Sequence, residues 1–232
     1  PPPLKVIYDA PMILYLKGKD IPCNMTFIAM VGSRNATHYG LKAAEKIGQG
    51  LARRGLGVAS GMARGIDSAS HWGCLDGRGF TIAVLGTGID IVYPGSNKKL
   101  IHQIVQTGAA ISEFPTGTPP SPNNFPVRNR IISGISKAVV IVEATKKSGS
   151  LITASMALEQ GREVNDIEGR APPDRVPHHG GVDVEILSKS ARNGLDVRES
   201  EVGDEVDVLC SARDPIDGAG KRAAHKVADT QG

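Results

Sequence analysis

Four times between Met30 and Ala154 an apolar, β-prone run stops at a small-residue turn, and a helix-like stretch begins soon after. The turns are Gly32-Ser33-Arg34, Ser60-Gly61-Met62, Gly86-Thr87-Gly88 and Ser148-Gly149-Ser150. Strands that alternate with helices in this way build an α/β fold, an open, mostly parallel sheet with helices on both faces. All such strand-to-helix turns then fall along the carboxyl edge, where unpaired backbone N–H groups and helix dipoles face outward. Basic residues stand in or near these turns at Arg34, Arg64, Lys146 and Lys147, and Arg128 and Arg130 lie just ahead of the last unit. A phosphate-bearing partner is the first expectation.

The apolar runs at residues 27–31, 56–59, 80–85, 109–112 and 138–142 are expected strands, the last rich in β-branched residues as a strand buried on both faces should be. Leu41, Ala44, Ile47, Gly48 and Leu51 recur at helical spacing, and helices are also expected over residues 66–75, 98–105, about 127–135, and 151–160. Residues 1–24 form a lead-in with one apolar run, 12–16, that suits an edge strand. The long Pro/Gly/Asn-rich loop 113–124 has the length of a functional or disordered segment. No Phe, Tyr or Trp follows Phe125, and beyond Val164 acidic runs mix with Pro and Gly, too little apolar matter for a substantial core. Three regions are expected: the lead-in 1–24, a Rossmann-like domain 25–164, and an atypical region 165–232, either part of the same domain or disordered. A short strand near 182–187 and a short helix near 202–209 are the elements expected in that last region.

Charge divides at the same point. Residues 1–164 carry 18 Lys and Arg against 10 Asp and Glu, while residues 165–232 carry 9 against 14. A basic body of +8 suits a polyanion. The chain opens on Pro1-Pro2-Pro3 without Met, as a fragment or trimmed chain would. Nothing there resembles a signal peptide, and no apolar run approaches the roughly 18 residues of a membrane span. The expectation is a cytoplasmic protein without a membrane partner. Cys23, Cys74 and Cys210 are far apart and outside any C-x-x-C spacing, against a disulfide framework or zinc site. His178-His179 has no ligand at metal spacing, so no metal is expected.

Several phosphate sites are excluded by their missing parts. After Gly86-Thr87-Gly88 come Ile89, Asp90 and Ile91, where a dinucleotide fingerprint needs its third glycine. There is no G-x-x-x-x-G-K-[ST] and no G-x-S-x-G, so neither a triphosphate loop nor a nucleophile elbow is present. No cofactor and no catalytic residue is expected. Ser148 and Ser150 suit a helix cap with or without a phosphate contact. Asp67, His71 and Trp72 suit packing or capping, and Lys42, Lys46, Arg53 and Arg54 a solvated helix face. Arg34 and Lys147 differ because they sit at the turns themselves, and Arg128 and Arg130 because Asn123, Asn124 and Asn129 surround them with amide donors.

Six ordered motifs resemble the bacterial DNA processing protein A family, DprA/Smf. They are Val31-Gly32-Ser33-Arg34 with Tyr39-Gly40, the run from Ser60 to Asp67, Ala83-Val84-Leu85-Gly86-Thr87-Gly88, Tyr93-Pro94, Asn124-Phe125-Pro126 with the run from Arg128 to Gly134, and Ser148-Gly149-Ser150-Leu151-Ile152-Thr153-Ala154. The resemblance covers about residues 2–164. It implies an extended Rossmann-like fold that binds single-stranded DNA, protects incoming DNA in natural transformation, helps load the RecA recombinase and acts as a homodimer without catalysis. The family's basic pocket maps onto Arg34 and Lys147, and its F-P-x-R-N-R arginines onto Arg128 and Arg130. With Arg64, the turn N–H groups of Gly32, Ser33, Gly149 and Ser150, and Asn124 and Phe125, these are the expected DNA-binding residues. After Gly161-Arg162-Glu163-Val164 the chain departs from the family pattern. A rival reading is a nucleotide N-glycosidic-bond hydrolase of a related Rossmann-like group, but the carboxylate such enzymes carry shortly after the last turn is missing from Leu151-Ile152-Thr153-Ala154.

Overall fold

The computed structural model describes residues 1–144 and 148–167, all within one compact unit. The strand and helix expected near 182–187 and 202–209 lie outside them. Seven strands form one sheet: β1 (Tyr15–Gly18), β2 (Phe27–Gly32), β3 (Gly57–Ser60), β4 (Thr81–Leu85), β5 (Ala109–Ser112), β6 (Ala138–Val142) and β7 (Glu163–Ile167). Their spatial order is β1-β5-β4-β3-β2-β6-β7, parallel throughout except for β1, which runs antiparallel on β5. From β2 the chain walks outward to β5 and then returns to lay β6 on the other side of β2. Connections on the two sides of that point leave on opposite faces, which opens a crevice beyond the carboxyl ends of β2 and β6.

Alternation along the strands builds two apolar layers. Ile28, Met30, Val140 and Val142 meet α1 (His38–Arg53) and α2 (Ile66–Asp76), and Ala83, Leu85 and Ala110 meet α3 (Lys98–Thr107). Phe27, Ala29, Val31, Val139 and Ile141 face the other way, toward α4 (Asn124–Ile135) and α5 (Gly149–Glu159). Helices therefore cover both faces, as the doubly wound pattern requires.

Three boundaries moved for physical reasons. The entry run 12–16 pairs only from Tyr15, because the register opposite Ser112–Ala109 begins there, and Met12 and Ile13 stay exposed. α4 begins at Asn124 rather than near 127, with Pro126 in its first turn, where a missing N–H costs nothing. β7 carries parallel pairing on β6 through Ile167, beyond the compositional break at Val164.

α1 and α2 pack backbone to backbone. A Cβ on Gly73 would lie 2.0 Å from the Glu45 carbonyl oxygen, and one on Gly48 would lie 2.5 Å from that of Ser70. Gly73→Ala should therefore force the helices apart and lower unfolding stability by about 1–3 kcal/mol in a urea titration. Gly95→Ala, where an added Cβ meets nothing within 4 Å, should leave the midpoint in place.

Candidate functional site

The crevice between β2 and β6 holds an open cavity of about 680 Å³, and both flanking turns line it. On one side are Gly32, Ser33, Arg34 and Asn35; on the other are Ser148, Gly149 and Ser150; Phe125, Arg128 and Asn129 of α4 form a wall. The two turns touch. Ser33 N–H donates to the Val142 carbonyl at 3.3 Å, and a Cβ on Gly32 would lie 2.0 Å from that same oxygen. Only glycine allows this approach.

The other two turns of the carboxyl edge are held by internal bonds, and from the first of them Ala63, with Asp67 at the head of α2, lines the cavity. The β3–α2 turn locks onto the β2–α1 turn: Ile66 N–H donates to the Ser33 carbonyl at 3.1 Å, and Gly65, with φ of 78°, leaves no room for a Cβ, which would lie 2.2 Å from that oxygen. Gly61 lies under the Arg128 guanidinium. Gly86 abuts the Phe125 ring, and its carbonyl accepts from the Asn124 amide at 3.1 Å. Of four candidate phosphate turns, two open into the cavity.

The basic residues separate in the same manner. Arg34 is exposed and lies over the Phe125 ring, 5.5 Å from its centroid, and Phe125 stacks on Tyr93 at 5.6 Å and 29°. The result is a guanidinium and two aromatic rings along one wall, with Tyr93 exposed. Tyr93 was not among the expected site residues; its place in a loop 32 positions before Phe125 hides the pairing. Arg64 is exposed but does not line the cavity. Lys147 lies outside the described residues.

Arg128 and Arg130, expected as backbone contacts, are engaged elsewhere. Arg128 lines the cavity floor but is only 4% exposed, and its Nη1 donates to the carbonyls of Gly61, at 2.6 Å, and Val84. Burial pulls its pKa down to about 10 against the opposing charge of Asp67. Asp67, also buried, accepts from Ala63 N–H at 3.2 Å; burial pushes its carboxyl above the usual range although Arg128 and Arg34 pull the other way. Arg130 points away from the cavity, with Nη2 on Glu113 at 2.6 Å and Nε on Asp9 at 2.9 Å. It staples the lead-in and the start of the long loop to α4.

The N-terminus of α5 carries the anion-binding potential of the site. Ser148 caps it, Oγ accepting from Ser150 N–H at 3.3 Å, and around the exposed Gly149 a Cβ would meet nothing within 4 Å. Its dipole and the Gly149 N–H stand at the cavity with a neutral cap. Among the described residues no three His, Cys, Asp or Glu side chains cluster at metal-ligand spacing, and no helix is long and apolar enough to cross a membrane.

Two substitutions separate structural from surface roles. Arg128→Met strands the Gly61 and Val84 carbonyls and the Asp67 carboxyl, and should lower stability by about 3 kcal/mol in chemical denaturation; Arg34→Met should leave it unchanged. His71 is fully buried on α2, with Nδ1 2.7 Å from Thr81 Oγ1, and burial holds its pKa down to about 3, with Arg128 adding to the effect. Between the ordinary value of 6.5 and about 3 the unfolded chain binds a proton that the fold does not. Stability should therefore fall as pH drops through that window, by up to about 1.4 kcal/mol per pH unit. His71→Gln should flatten this slope in urea titrations at successive pH values.

The chain matches the family model for DNA recombination-mediator protein A over residues 1–183. It is 45% identical over 166 residues to the DNA processing protein DprA of Streptococcus pneumoniae, covering 72% of this chain and 58% of that one. It is 44% identical over 181 residues to the protein Smf of Escherichia coli, covering 77% and 48%. The chain thus spans about half to three fifths of these relatives. Its fold superposes on the DNA processing protein A structure from S. pneumoniae with a TM-score of 0.70 at 40% identity, over 82% of this chain and 65% of that one. It also superposes on that of Helicobacter pylori, solved for its mode of binding single-stranded DNA, with a TM-score of 0.67 at 28% identity, over 82% and 85%. The model match over most of the chain and the extended identity place it in the DNA recombination-mediator protein A family, DprA/Smf.

Proposed function

We propose that the crevice holds the backbone of single-stranded DNA. The observation that carries this reading is the meeting, at the switch point, of an exposed guanidinium, an open helix N-terminus and a two-ring stack. A phosphate at Gly149 and Ser150 gains the α5 N–H groups and dipole, and Arg34 supplies the opposite charge. An unpaired base has the exposed Tyr93 ring to stack on, a face that duplex pairing would bury. Gly32 and Ser33 shape the near wall, and Phe125 carries the stack. Lys147, directly before Ser148, adds a second cation, and Arg64 a third farther along the edge. Arg128, Arg130 and Asn124 act behind the surface by holding the walls.

The same reading takes residues 25–164, with β7, as the DNA-binding unit. Family membership supports protection of incoming DNA in natural transformation, delivery to the RecA recombinase, action as a homodimer and a cytoplasmic setting. Binding is proposed to be the whole activity: the stretch after Ser150 lacks the carboxylate of the N-glycosidic-bond hydrolases, and Asp67 is spent on its own turn.

Fluorescence anisotropy with a labelled single strand and its duplex, over a range of salt, tests this. The single strand should bind more tightly. Arg34→Ala should weaken it and lower the salt slope by about 0.7, the share of one phosphate on a single strand. Tyr93→Ala should cost about 1–3 kcal/mol. Equal affinity for both forms, or an unchanged Arg34→Ala, would overturn the reading.

A further inference from the structure

Glu143 follows β6 with φ of 53°, in the left-handed region that a glutamate rarely adopts. Its carboxylate shows what holds it there. Oε2 accepts from Thr37 N–H at 2.7 Å, and Oε1 from the Thr37 hydroxyl. Thr37 is in turn the N-cap of α1, its Oγ1 accepting from Gly40 N–H at 3.0 Å. Gly40 leaves the space: a Cβ there would lie 2.4 Å from the Glu143 carboxyl carbon. The N-terminus of α1 thus already carries an anion from its own chain, in the place where a helix end would otherwise receive a phosphate. The N-terminus of α5 is capped by a neutral serine.

We propose that Glu143 is a positioning residue of the crevice. By closing the N-terminus of α1 it ties the turn that carries Arg34 to the turn that leads into α5, and leaves α5 as the helix end open to phosphate. The proposal rests on the single-strand reading above. Arg34 stands three residues before Thr37, and Ser148 five residues after Glu143, so one carboxylate sets the spacing between the two phosphate-facing groups. Among the described residues, Ser33 N–H also reaches across, to the Val142 carbonyl at 3.3 Å.

Charge and positioning predict opposite signs. Glu143 is a negative group beside a site for a polyanion, so if it acted through charge alone its removal would tighten binding. As a clamp, its removal loosens the site and weakens binding.

The test titrates a labelled oligothymidylate against the whole chain at several salt concentrations for wild type, Glu143→Ala, Glu143→Gln and Thr37→Val, and follows amide hydrogen exchange on the same proteins. Glu143→Ala should bind roughly tenfold more weakly and lose about one phosphate's share of the salt slope. Glu143→Gln, whose amide oxygen still accepts from Thr37, should recover most of the affinity. Amides of residues 33–37 should exchange about tenfold faster in Glu143→Ala while β2 to β4 keep their protection. Tighter or unchanged binding by Glu143→Ala, no recovery by Glu143→Gln, or unchanged exchange would overturn the proposal. If Glu143→Ala does not fold, Thr37→Val, which removes the hydroxyl's bonds to Glu143 Oε1 and to Gly40 N–H and keeps the Thr37 N–H bond to Oε2, decides in its place by the same two readouts. Absence of wild-type binding would remove the single-strand reading itself, and exchange would still decide the clamp.

Discussion

The carboxyl edge of this sheet is organised around one buried cation. Taking the Arg128 guanidinium out of water costs several kcal/mol, and the fold offsets this with two carbonyls from neighbouring strand ends and with Asp67 at the head of α2. Because those partners come from the β3–α2 turn, the end of β4 and the head of α2, the same residue fixes all three against α4. Gly61 must lack a side chain for the guanidinium to fit, since a Cβ there would lie 2.3 Å from Nη2. Phe125, one helical turn before Arg128, is thereby set against Gly86, and on Phe125 rest both Tyr93 and Arg34. The exposed surface inherits its geometry from a charge that is almost wholly buried.

Topology then decides where that surface is useful. β2 and β6 are far apart in sequence yet adjacent in the sheet, and the crevice opens where the winding reverses. Internal bonds close the turns after β3 and β4, and Glu143 closes the head of α1. Among the described residues, the exposed Arg34 and the N-terminus of α5 face the cavity as anion-accepting groups. A small number of open donors beside a stacking face matches a flexible polymer gripped one phosphate at a time.

Local pattern carried most of the architecture. The strands from β2 to β6 and their helices are legible because strand and helix periods leave separate marks, and the motifs place the family without any coordinates. The roles of the arginines were not legible. Arg128 and Arg130 are two residues apart on one helix, so they point to different sides of it, one into the floor and one toward Glu113 and Asp9. In sequence both are simply basic residues in a loop-to-helix motif. Glu143 and Tyr93 were missed for the same reason, since their partners Thr37 and Phe125 are 106 and 32 positions away.

The sequence by itself determined the alternation of strands and helices, the small-residue turns at the carboxyl edge and the surplus of positive charge in residues 1–164, because these follow from hydrophobic period, backbone sterics and composition. Tertiary structure alone decided which turns stay open and which cations face solvent. Those choices depend on close approach between segments distant in the chain: Gly32 on Val142, Gly65 on Ser33 and Gly61 on Arg128. A single sequence records that a glycine is present at such a point; the fold shows what fills the space it leaves.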